Sequence, residues 1–130
     1  MLSAAGIPAV TQMGVFVATK VPQAFRSYFK GLYAEAYGIL IERQEGYGPS
    51  NIENLGAFGV YSRLAFDKCS RISTNLNGVI ESGDAKVNPD WFTPGMRDAL
   101  LDISNYALIM IALGEQKWSE TARAVDGEEG

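Results

Sequence analysis

Asp98 and Asp102 stand four residues apart at the head of the most apolar stretch of the chain. On an α-helix that spacing puts both carboxylates on one face. Like charges so placed repel by about 0.2–0.5 kcal/mol when exposed, and by more when partly buried. The pair calls for compensation: a cation, an arginine or a divalent metal. The plainer alternative is a solvated acidic helix start, where Asp also suits the N-terminal dipole. Arg63, Asp67 and Arg71 repeat the spacing of four, with Lys68 beside them. As a solvated ladder they contribute a few tenths of a kcal/mol. As chemistry, Asp67 joins Asp98 and Asp102 in holding Mg²⁺, while Arg63, Lys68 and Arg71 meet phosphate oxygens.

Composition narrows the chemistry further. The chain has 130 residues and no histidine. That excludes Ser-His and Cys-His nucleophilic machinery and any His-ligated metal. A metal here takes oxygen ligands, hence Mg²⁺ or Mn²⁺ before Zn²⁺. The net charge of −4 gives no electrostatic case for binding nucleic acid or an anionic membrane. A single cysteine, Cys69, makes no intrachain disulfide, which fits a reducing compartment. No Lys or Arg precedes the small, apolar residues 1–19, so they do not read as a secretion signal. The apolar run 99–113 is too short for a membrane span. These readings together predict a cytoplasmic protein.

Three helices must position the charged residues. Residues 1–20, with Gly6, Pro8, Gly14 and several β-branched side chains, read as an apolar arm. Pro22 suits a helix first turn. From Gln23 to about Gln44 the apolar positions recur at helical spacing. Gly46 to Asn51 is a loop by composition. A second helix, beginning near Asn51 or Ala57 and ending at Asn77-Gly78, carries the stripe Phe58, Tyr61, Ala65, Cys69, Ile72, Leu76. Residues 78–92 read as a connecting loop. Thr93 is the expected cap and Pro94 the first residue of a third helix, which Gly114 stops. From 100 to 113 all but Asp102, Ser104 and Asn105 are apolar, so this helix is expected to be buried nearly all round. That much burial calls for another subunit. The polar tail from Glu115 is expected to fray.

Other residues carry two readings each. Tyr47 and Asn51 flank a Gly-Pro turn; they suit stacking on a base and bonding its edge, or, for Asn51, capping the next helix. The Tyr106 hydroxyl lies one turn beyond Asp102, within reach of the same site or satisfied in the core. Cys69 reads as a buried small hydrophobe. Trp91-Phe92 reads as a pocket lid or a loop anchor.

Three blocks carry a resemblance: Tyr47-Gly48-Pro49-Ser50-Asn51-Ile52; Gly59 to Leu64, continuing through Asp67-Lys68 and Arg71; and Asp98 to Asp102 with Asn105-Tyr106-Ala107. Together they resemble the nucleotide-modification-associated domain family of phages and bacteria, and remotely the MazG-like nucleoside triphosphate pyrophosphohydrolases. The resemblance covers about residues 40–113. It implies an all-α, MazG-like helical bundle completed by oligomerisation as a dimer or tetramer. It also implies Mg²⁺-dependent hydrolysis of a nucleotide to monophosphate and pyrophosphate, in the host cytoplasm if phage-encoded. In that scheme Asp102 matches the final aspartate of the third-helix motif. Asp98 approximates its preceding glutamate, one residue displaced, and Asp67 matches the acid of the earlier helix. The chain departs from the family at the paired-glutamate motif, for which the helix from Phe58 to Leu76 offers Asp67 alone; Glu42, Glu45 or Glu81 is left to supply a fourth ligand.

The resulting layout is an arm over 1–20, a helical nucleotide-binding domain over 21–114 and a polar tail over 115–130. The catalytic and metal-binding residues are Asp67, Asp98 and Asp102. Tyr47, Asn51, Arg63, Lys68, Arg71 and Tyr106 are the substrate-binding residues. A non-catalytic nucleotide-binding protein of the same fold, and a purely structural oligomer, are the alternatives.

Overall fold

The computed structural model describes residues 19–81 and 89–126. Most of the expected arm, residues 1–18, lies outside the described residues. The described residues are helical, with no strand among them. No helix among them is long and apolar enough to cross a membrane.

The chain divides into two compact units, Met1–Tyr33 and Ala34–Gly130. The boundary falls within helix α1 (Gln23–Tyr47). In the first unit Pro22 opens α1, its carbonyl accepting from the Arg26 N–H at 3.1 Å. Phe29 packs on Phe25 and edge-on against Tyr28, with ring centroids 4.6 and 5.4 Å apart.

The second unit holds the core. The rest of α1 ends where the Gly48 N–H bonds the Gln44 carbonyl at 2.8 Å. Gly48 takes a positive φ of 72°, which suits glycine at a helix stop. Helix α2 (Ser50–Ser62) follows and is broken at Gly56, where φ is 68° and ψ 177°, a region essentially reserved for glycine. Residues Arg63–Lys68 form a π-helix, and α3 (Cys69–Glu81) continues from it. A single turn of 3₁₀-helix covers Pro89–Trp91. Helix α4 (Pro94–Gly114) is capped as the sequence suggests: Thr93 Oγ1 accepts from the Met96 N–H at 3.1 Å. A short helix α5 (Trp118–Ala122) follows α4.

Ile52, Val60, Ile109 and Trp118 form the buried core, with Leu40, Leu55, Tyr106 and Leu113 packed around it. Helix α4 lies against α2, the π segment and α3.

Four expectations need correction. The second helix runs through Asn77-Gly78 to Glu81, because no residue there adopts the left-handed turn that would end it. Phe58 and Tyr61 keep 76% and 42% of their surface because α2 turns Ile52 and Val60 into the core instead, and Cys69, past the change of pitch in the π segment, is exposed. Helix α4 is not buried all round: Leu108 and Ile111 are more than half exposed. The tail does not simply fray, since α5 returns Trp118 to the core.

Candidate functional site

Asp102 is buried on α4, and each of its carboxylate oxygens meets a cation. Arg43 Nη1, from α1, lies 2.6 Å from Oδ1, and Lys68 Nζ, from the π segment, lies 3.1 Å from Oδ2. A buried carboxylate without such partners would carry a large desolvation penalty. The compensation that the Asp98/Asp102 spacing calls for is therefore supplied to Asp102 by an arginine and a lysine. Asp98, one turn earlier, is exposed. Neighbouring bonds fix α1 on α4: buried Asn105 donates its Nδ2–H to the Ala36 carbonyl at 2.9 Å, and Arg97 grips both Glu35 oxygens at 2.6 and 2.7 Å. Arg97 holds the Glu35 carboxyl below its usual range, chiefly through the hydrogen bond.

A cavity of about 490 Å³ opens beside this ion cluster. Helix α1 contributes Arg43, Gln44 and Tyr47; α2 contributes Asn51 and Leu55. Arg63 and Lys68 come from the π segment, Asp102, Asn105, Tyr106 and Ile109 from α4, and Trp118 from α5. Three cations thus face one carboxylate in a chain of net charge −4. From Asp102 to Ile109 the wall runs two helical turns, about 10 Å. Arg43 and Lys68 stand at the Asp102 end. Trp118, bonded through Nε1–H to the Pro49 carbonyl at 3.1 Å, stands at the α2 start.

The π-helix explains which basic residues arrive. In a regular α-helix Arg63 and Lys68 would point about 140° apart. A π-helix bonds i to i+5, which brings residues five apart onto one side. Both accordingly line the cavity. Among the described residues Arg63 has no ion-pair partner, so its guanidinium is free for a ligand. Lys68 is largely buried between two acids, Asp67 at 3.6 Å and Asp102 at 3.1 Å.

Of the residues singled out in the sequence, the structure brings Tyr47, Asn51, Arg63, Lys68, Asp102 and Tyr106 to this cavity. Asp67, Asp98 and Arg71 do not line it. Arg71 Nε instead pairs with Asp67 Oδ1 at 3.1 Å on an exposed surface, the ladder geometry. Among the described residues no three His, Cys, Asp or Glu side chains gather closely enough to hold a metal ion. Glu42 and Glu45 are exposed and off the cavity, and the Glu81 side chain lies outside what is described. Asn51 sits inside the first turn of α2, whose cap position is Pro49, so it is not a cap. Trp91 anchors its loop: its carbonyl accepts from Asn75 Nδ2 at 3.2 Å.

Sequence reasoning missed Arg43, Gln44, Asn105 and Trp118. The first three carried a signal. Leu40, Arg43-Gln44 and Tyr47 recur at helical spacing along α1, and Asn105 is the amide within the apolar run of α4. Trp118 had none beyond being a tryptophan in a polar tail.

No family model, curated protein or solved structure matches the chain.

Proposed function

We propose that this cavity binds a nucleotide or a chemically similar phosphorylated ring compound. The observation that carries this reading is the lining: Arg43, Arg63 and Lys68 against one already paired carboxylate, with Tyr47, Tyr106 and Trp118 along the same wall. Guanidinium and ammonium groups meet phosphate oxygens in charge-assisted bonds, and aromatic faces accept bases. A volume of about 490 Å³ suits a ligand of that size. The resemblance to nucleotide-modification-associated and MazG-like proteins points the same way. In this reading Asp102 organises the cations: it holds Arg43 and Lys68 at fixed positions before the ligand arrives, which lowers the ordering cost of binding.

A second reading, a Mg²⁺- or Mn²⁺-dependent pyrophosphohydrolase, is favoured by one observation. The Lys68 ammonium sits where Asp67 and Asp102 both approach a common cation. We also propose a homo-oligomer, dimer or tetramer. Phe58, Tyr61 and Phe66 form an exposed chain of rings with centroids 6.2 and 5.9 Å apart, and soluble monomers seldom leave such patches uncovered.

One panel separates these readings. Canonical and modified nucleoside triphosphates are incubated with the protein, with and without Mg²⁺, while binding, monophosphate and pyrophosphate are quantified. Binding without products selects the sequestering module, and metal-dependent products select the hydrolase. Absence of both rejects the nucleotide reading and leaves the structural oligomer. Sedimentation at the 14.1 kDa monomer mass at micromolar concentration rejects the oligomer.

A further inference from the structure

Trp118 belongs to a segment outside every motif of the chain, yet it lines the cavity and packs into the core. Its indole N–H is spent on the Pro49 carbonyl. What remains for a ligand is the ring itself, with no polar atom to offer. Helix α5 spans only Trp118–Ala122 and cannot hold itself by helical hydrogen bonds alone. A clamp holds it to α2. Ser119 Oγ–H donates to Glu53 Oε2 at 2.6 Å, and Arg123 grips both Glu53 oxygens at 2.6 and 2.9 Å. Arg123, then Ser119, holds the Glu53 carboxyl down to about 2.

We propose that Trp118 sets the ligand specificity of the cavity. It favours ligands that carry a planar ring about 10 Å or less from their anionic group, the length of wall between Asp102 and Ile109. Glu53 is its positioning residue, acting through Arg123 and Ser119. This rests on the reading of the cavity as an anion site, and the two claims fail separately.

The test uses Trp91→Phe protein, which leaves Trp118 as the sole tryptophan reporter. Inorganic tripolyphosphate probes the charged end alone; ATP, GTP, CTP and UTP probe both ends. The nucleotides are expected to bind about 5- to 150-fold tighter than tripolyphosphate and to quench Trp118 fluorescence, as a stacked base does. Glu53→Gln and Arg123→Leu, neither of which lines the cavity, are expected to erase that preference while tripolyphosphate affinity holds. The charge swap Glu53→Arg with Arg123→Glu is expected to restore part of it. Equal losses for both probes, or a full preference retained in both clamp variants, overturns the proposal. A wild-type protein that binds tripolyphosphate with no preference for nucleotides overturns it and spares the anion site. A protein that binds neither overturns both.

Discussion

Lys68 Nζ lies 3.1 Å from Asp102 Oδ2, joining the π segment to α4 through a largely buried ion pair. The same ammonium lies 3.6 Å from Asp67 on its own segment. One lysine therefore serves two acids. Arg43 completes the charge balance of the buried one.

Asp102→Asn is expected to destabilise the chain by about 1–3 kcal/mol, since it leaves the largely buried Lys68 short of a charged partner. Asp98→Asn, at an exposed position, is expected to stay within about 0.5 kcal/mol. Urea denaturation of the two variants checks this. Equal midpoints would show that Asp102 is not held as described.

Arg63 and Arg71 separate binding from stability. Arg63→Ala is expected to weaken nucleotide or tripolyphosphate binding about tenfold to hundredfold with little change in melting. Arg71→Ala removes an exposed i, i+4 pair and is expected to cost under about 1 kcal/mol, with affinity unchanged. Calorimetric titration beside thermal melting decides it; an Arg71→Ala protein that loses affinity would bring Arg71 back to the ligand.

Acid should loosen α5. The Glu53 carboxyl titrates near 2 in the folded chain and near 4.5 once unfolded. The folded state thus binds fewer protons between those values, so the clamp's contribution is complete above pH 4.5 and is lost as pH falls towards 2. Trp118 fluorescence in Trp91→Phe protein should change over that window, and the change should vanish in Glu53→Gln.

Gln116 takes φ 61° just past α4, where the Lys117 N–H bonds the Ala112 carbonyl at 2.8 Å and the Gln116 N–H bonds that of Leu113 at 3.1 Å. That left-handed position strains a side chain by about 1–2 kcal/mol, and glycine relieves it. Gln116→Gly is expected to raise the melting temperature. A lower one would mean that the glutamine side chain contributes more than the strain costs.

The helices were legible because apolar spacing and punctuation agree: Pro22 opens α1, while Thr93 and Pro94 open α4, where expected. The stops were less so. Helix α4 does end at Gly114 as expected, although the left-handed turn falls at Gln116, two residues on. Gly78, by contrast, leaves α3 uninterrupted. At the site, six of the singled-out residues share one cavity, yet the grouping of Arg63 with Asp67 and Arg71 assumed an α-helical pitch. The π segment breaks that assumption, and nothing in Arg63-Leu64-Ala65-Phe66-Asp67-Lys68 announces it. Arg43 escaped notice for a related reason: its partner Asp102 is 59 residues away, a distance that local spacing does not report.

The π turn also fixes what kind of genetic change this site tolerates. Its wider winding accommodates one residue more than a regular helix would use over the same rise. Loss of a single codon between 63 and 68 would let the stretch relax to ordinary pitch with Arg63 and Lys68 four residues apart, about 40° from each other and still on one side. A codon gained there would set them six residues apart, about 120° from each other on a regular helix. The pocket therefore withstands a lost residue in this stretch better than a gained one, and insertion and deletion scans would read it oppositely.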